Sequence, residues 1–316
     1  RQKWKRSLSS LVVVNPLLRP LLLRPLSTSL QNQMQHILLI RHAECVMNLH
    51  LATTIGGRAN DSPLTRRGRA QAAALGARLA SLPENLRPSL LFASTAVRAR
   101  ETAEAISRAL RESHATVSLP PVRLEEDLLE IDMGSWAGAD RRATYTPEVL
   151  ARIRARPLDF AAPGGESQKQ VEERVARCVE EAVLPSAAAA AAEQKKSSGS
   201  NGSDSGSNIK TLPVVAVVAH GVSIKTMLRR VLASDPARFA AARNIALANT
   251  GICEIALDTR HFPSHDDYGG DPGEVTPSGS AAACAADREK WHLIRINDAA
   301  HLEGLAAETF EEEEEE

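Results

Sequence analysis

Aromatic residues make up only 3% of this 316-residue chain, and its formal net charge is -1. A chain so composed lacks both the basic footprint that draws a protein to nucleic acid and the rings on which bases stack, so nucleic-acid binding is not expected. Cysteine is scarce too: Cys45, Cys178, Cys253 and Cys284 are scattered, with neither the paired spacing of a zinc site nor the density of a disulfide scaffold. A reducing, intracellular compartment is the simplest setting. No apolar run approaches the ~20 uninterrupted residues of a membrane span. The richest, Leu11 to Leu26, is broken by Asn15, Pro16, Arg19, Pro20, Arg24 and Pro25, so a soluble protein without a membrane partner is expected. Within the motifs described below there is no HxH, HxxxH or CxxC spacing, and no metal site is expected.

What the chain has in plenty is apolar surface. Its hydrophobic content of 43% is ample for a packed core in one large or two small domains. Residues 1 to 34 stand apart, carrying Arg1, Lys3, Lys5, Arg6, Arg19 and Arg24, several serines and no acid before Glu44. That is the composition of an organelle transit peptide, which points to mitochondrion or plastid, with the cytoplasm as the alternative. Two further stretches, Ser186 to Asn208 and roughly Pro263 to Asp287, are rich in Ala, Ser, Gly or Pro and are read as low-complexity insertions forming surface loops. Residues 306–316 end in a solvated acidic run. A single catalytic domain is expected over residues 35–305.

Within that span, short β-type runs alternate with helical patterns. His36 to Ile40, Leu90 to Ala93 and the Val-rich Val214 to Ala219 are strand candidates. Each is followed by a helical pattern: one opening at an N-cap on Thr65 and carrying Leu75, Leu79 and Leu82, one over about Ala96 to Leu110, one over about Ser223 to Leu232. This alternation predicts an α/β fold, a three-layer sandwich with a mainly parallel central sheet covered by helices on both faces.

The three strands end in reactive residues: Arg41-His42 after the first, Ser94 with Arg98 after the second, His220-Gly221 after the third. Ligands in open α/β sheets bind outside the carboxyl ends of strands, so these groups are placed to share one crevice. Guanidinium forks match phosphate oxygens, and a neutral imidazole is a competent nucleophile at phosphorus, so two His and two Arg together point to an anionic substrate.

The segment Leu39-Ile40-Arg41-His42-Ala43-Glu44, followed by Asn48, resembles the signature of the histidine phosphatase superfamily, the phosphoglycerate mutase-like proteins. DSPLTRRGRAQA (Asp61 to Ala72), ASTAVRARETA (Ala93 to Ala103), LEIDMGSWAG (Leu129 to Gly138), PGGES (Pro163 to Ser167) and VVAHG (Val217 to Gly221) resemble further family segments in the family's order. Asn249-Thr250-Gly251 and Trp291 to Leu302 look like its closing strands. The resemblance implies that His42 is the nucleophile and that Arg41, Arg98 and His220 bind the phosphoryl oxygens, with Asn48 an added neutral donor. It implies further that Glu130 is the general acid and then the general base, with Asp132 the competing carboxylate, and that Gly57, Glu166 and Ser167 lie on the substrate side. Two positions depart from the family's habit: Cys45 where Thr or Ser is usual, and Ala43 where Gly is commoner. Cys45 is read as a tolerated small residue or, alternatively, as a redox handle.

LEIDMGSWAG looks more like the phosphatase and fructose-2,6-bisphosphatase branch than the mutases. A metal-independent phosphatase without a cofactor is therefore the first expectation, a mutase-type phosphotransferase the second and a non-catalytic phospho-ligand binder the third. The expected partner is a small phosphorylated metabolite; sugar phosphates, phosphoglycerates, phosphoserine and nucleotides all stay open, as does the oligomeric state.

Overall fold

A computed structural model describes residues 34–58, 61–113, 119, 121–198, 212–232, 246–258, 291–303 and 305. The central strand β1 (Met34–Arg41) pairs in parallel with β4 (Val214–Ala219), in a register that sets Arg41 opposite Ala219. β2 (Pro88–Ser94) pairs in parallel with β4 on its other side and with the short β3 (Arg123–Glu125). β5 (Ile252–Asp258) is antiparallel to β1, and β6 (Trp291–Asp298) is antiparallel to β5. The sheet order is β3-β2-β4-β1-β5-β6.

Two helical layers follow from the alternation of side chains along the strands. Ile37, Leu39, Val215 and Val217 face one cluster, into which α6 (Gln168–Cys178) sends Val171 and Val175, and α8 (Gly221–Leu232) sends Ile224, Leu228 and Val231. Leu38, Ile40, Ala216 and Val218 face the other, against Leu75 and Leu79 of α2 (Arg66–Ala80) and Ala103, Ile106 and Leu110 of α3 (Val97–Ser113). All six residues of β4 are buried, as a strand covered on both faces requires. The fold is the expected α/β three-layer arrangement with a mostly parallel sheet. The short α1 (Val46–His50) follows β1, and α4 (Arg141–Thr144) and α5 (Pro147–Ala155) lie between β3 and α6.

Several boundaries shift. Met34, assigned above to the leader, is buried in β1. The loop expected over Ser186 to Asn208 is corrected for its first part. α7 (Leu184–Ser198), joined to α6 through a π-helical turn at Val179–Val183, runs through the alanine stretch. Alanine has the highest helix propensity of any residue, and Ala187 is 0% exposed against the core, so composition that looked like a solvated insertion packs instead. Residues 199–208, the 263–287 stretch, the leader up to 33 and the tail 306–316 lie outside the described residues. Among the described residues no helix is long and apolar enough to cross a membrane.

Candidate active site

Because β1, β2 and β4 are parallel neighbours, the residues that follow them meet at one edge of the sheet. His42 N donates to Ala219 O at 2.9 Å, which locks the first strand end to the other histidine's strand. The rings of His42 and His220 are 5.1 Å apart, centroid to centroid, and tilted by 57°. His42 is 4% exposed and His220 0%. Burial first, and then the positive charges of Arg98 and Arg41, hold the His42 pKa well below its ordinary 6.5. His220 is likewise lowered, by burial and then by His42 and the arginines Arg98, Arg174 and Arg41. Both rings are therefore neutral at pH 7.

The tautomer of His42 follows from its surroundings. Nδ1 lies 2.7 Å from Ala43 O, a group that only accepts, so Nδ1 carries the proton and Nε2 keeps its lone pair. The loop holding it is over-determined: Ala43 N donates to Thr102 Oγ1 at 3.0 Å and Glu44 N to Gln71 Oε1 at 2.9 Å. Glu44 in turn accepts from the hydroxyl of Thr65, the N-cap of α2. Gly68 admits no side chain here, since a Cβ would sit 1.9 Å from Glu44 O.

Arg41 donates Nη1 to Leu247 O at 2.5 Å and leaves Nε buried without a partner among the described residues, while Arg98, 2% exposed, donates Nη2 to Gly57 O at 3.1 Å. Burial lowers both guanidinium pKa values from the ordinary arginine range, yet arginine stays a cation in either setting. Gly57 reaches the pocket through its backbone. At φ 149° it packs where a Cβ would lie 3.1 Å from Met133 Cγ and 3.2 Å from Ile131 O. Asn48 Oδ1 accepts from Cys45 N at 3.2 Å and from Asn249 Nδ2 at 3.1 Å, which fixes the amide and leaves its NH₂ unspent among the described residues. Cys45, 0% exposed, packs with Ala43, Leu64 and Ala72 as a small apolar residue.

Glu130 lies against the first turn of α8. Its carboxylate accepts from Ile131 N at 2.9 Å and Val222 N at 3.2 Å, and Oε2 would be 3.6 Å from a Cβ on Gly221. The competing Asp132 uses Oδ1 on Gly134 N at 2.8 Å, within its own turn.

Two of the residues placed on the substrate side are accounted for by the protein itself. Glu166 accepts from Arg174 on both oxygens, from Asp132 N and from Arg58 at 2.7 Å, so its carboxylate is already enclosed by donors. Ser167 caps α6 in a capping box with Gln170. Beside the substrate-side place expected of them, both position their neighbours: Glu166 clamps Arg174, and Ser167 starts the helix that carries it.

Sequence reasoning overlooked Arg174 and gave Asn249 no role. Arg174, 7% exposed, donates Nη1 to Asp127 O and Leu129 O at 2.7 Å each and Nη2 to Glu130 O at 3.0 Å, and so holds the segment bearing Glu130. The signal available was its place on the apolar stripe of Val171, Val175 and Cys178. Asn249 Nδ2 also donates to His42 O at 3.0 Å, bridging the two motif residues.

Residues 37–195 match the family model described as the histidine phosphatase superfamily (branch 1). Among curated proteins the chain is similar to 2,3-bisphosphoglycerate-dependent phosphoglycerate mutase 2 of Gloeobacter violaceus, 30% identical over 195 residues, 61% of this chain and 73% of the relative. Among solved structures it is similar to a mycobacterial glucosyl-3-phosphoglycerate phosphatase, with a TM-score of 0.53 and 22% identity over 84% of this chain and 99% of that one. A phosphoserine phosphatase from Entamoeba histolytica, solved with phosphoserine, is similar at TM-score 0.51 and 19% identity, over 85% of this chain and 99% of that one. At these identities the structural likeness speaks for the fold alone.

Proposed function

The chain belongs to the histidine phosphatase superfamily, and from that premise we propose that it is a phosphatase hydrolysing a small phosphorylated metabolite through a phosphohistidine on His42. The observation that carries this reading is the orientation of His42: with Nδ1 given to Ala43 O, the Nε2 lone pair of a neutral ring is left in a pocket shared with two guanidinium groups and a second imidazole. Nε2 attacks phosphorus and the bond to the leaving oxygen breaks. The charge carried by the phosphoryl oxygens is met by Arg41, Arg98, His220 and the amide of Asn48. Glu130 gives its proton to the leaving oxygen, then takes one from the water that attacks the phosphohistidine, and inorganic phosphate leaves with His42 restored. The positive charge of the pocket comes from side chains, and no step requires a metal ion.

Water is favoured as acceptor by the acid segment LEIDMGSWAG, which resembles the phosphatase branch. Transfer to a second substrate, as in a mutase, is the alternative, supported by the similarity to the Gloeobacter mutase. A panel of sugar phosphates, phosphoglycerates, phosphoserine and nucleotides, assayed for released phosphate with EDTA present, tests the reading. Turnover of at least one compound by wild type and none by His42→Ala is expected. Faster transfer to an added sugar or glycerate than to water replaces phosphatase by mutase, and no turnover of any compound by wild type counts against both.

A further inference from the structure

His220 is fully buried, and the described residues engage only one of its ring nitrogens. Nε2 lies 2.8 Å from Ser94 Oγ, whereas Nδ1 is buried with no partner among the described residues. Ser94, the last residue of β2, is also 0% exposed, and its Oγ accepts from Ala96 N at 3.3 Å. A serine hydroxyl has one hydrogen and two lone pairs. With Ala96 N–H on one lone pair, the hydroxyl hydrogen is left to place, and among the described residues His220 Nε2 is the acceptor within reach. The reversed arrangement, Nε2–H donating to Ser94, strands the serine hydrogen and leaves Nδ1 a bare lone pair that could give nothing to a phosphoryl oxygen, itself an acceptor.

We infer that Ser94 is a positioning residue that fixes the tautomer of His220, donating to Nε2 so that Nδ1 carries the proton and gives it in a hydrogen bond to a phosphoryl oxygen. The inference rests on reading the pocket as a phosphoryl site. It gives the two neighbouring imidazoles opposite offices from one chemistry. A backbone carbonyl on Nδ1 turns the lone pair of His42 outward, and a serine hydroxyl on Nε2 turns the N–H of His220 outward.

The tautomer can be read without substrate, from long-range proton–nitrogen correlations in protein carrying nitrogen-labelled histidine at pH 7. Wild type is expected to show His220 protonated at Nδ1 and bare at Nε2. A spectrum with His220 protonated at Nε2, or at both nitrogens, overturns the inference even if no variant folds. In Ser94→Ala the ring is expected to populate the Nε2-protonated form and inorganic phosphate to bind roughly tenfold more weakly, the scale of one lost hydrogen bond. Ser94→Thr, which keeps the hydroxyl, is expected to retain the wild-type pattern, and His42 is expected to keep its own tautomer throughout. An unchanged His220 tautomer and unchanged phosphate affinity in Ser94→Ala also overturn it. Failure of the phosphatase reading would appear as absent turnover with this tautomer pattern intact, so the two failures are distinct.

Discussion

Replacing Arg174 by Met tests how the acid segment is held. The guanidinium has five N–H hydrogens and makes five hydrogen bonds: Nε to Glu166 Oε1 at 3.0 Å, Nη1 to Asp127 O and Leu129 O at 2.7 Å each, Nη2 to Glu130 O and Glu166 Oε2 at 3.0 Å each. Methionine of similar length packs against Val171 and Val175 without new polar cost, so the change isolates the lost bonds. Breaking a buried ion pair by removing one partner costs about 3–5 kcal/mol. The Glu166 side chain is 20% exposed and still contacts Arg58, so water recovers part of the loss and about 3 kcal/mol is expected. Urea unfolding should show the midpoint falling at constant slope. The freed Glu130 carbonyl loosens the acid, so turnover should fall more for an alkyl phosphate, whose leaving oxygen needs the proton, than for an aryl phosphate. A variant within about 1 kcal/mol of wild type, the ordinary size of a single point change, with an unchanged alkyl-to-aryl ratio, would refute the reasoning.

Three further outcomes are expected. Gly68→Ala puts a Cβ where Glu44 O now lies, 1.9 Å away, so the loop after β1 must move; turnover should drop, and wild-type activity would show the loop yields without consequence. Ala187→Leu overpacks the contact of α7 and should cost about 1–3 kcal/mol in urea unfolding, whereas no change would mean that the helix does not pack there. His42, His220 and His301 have folded pKa values below 6.5, that of His301 brought to about 4 chiefly by burial and then by Arg78. Below pH 6.5 the unfolded chain then binds more protons than the folded one, so stability should fall as pH drops from 6.5 toward 4 and the fall should be shallower in His301→Gln. A thermal midpoint independent of pH across that window would contradict this.

The strands that carry the site were legible because each is a short apolar run ending abruptly in polar groups. β4 needed only the sequence VVAVVA before His220, and Thr65 announced the start of α2. β3 was invisible: three residues, Arg123 to Glu125, two of them charged, form a strand only because β2 offers an edge. Most of what positions the reactive groups was equally hidden. Arg174 looks like a solvated charge in a polar stretch, and its closure with Glu166 into one clamp depends on the turn at Asp132, far away in sequence. Ser94 was visible as a strand-end residue, but its bond to His220 requires β2 and β4 to be neighbours.

The central claim is that His42 carries the phosphoryl group. Its most direct test is brief mixing with radiolabelled substrate, followed by alkaline denaturation, which preserves a phosphohistidine, and mapping of the labelled peptide. Label on His42, absent from His42→Ala together with turnover, is the predicted result. Label on any other residue, or full activity in His42→Ala, would contradict it.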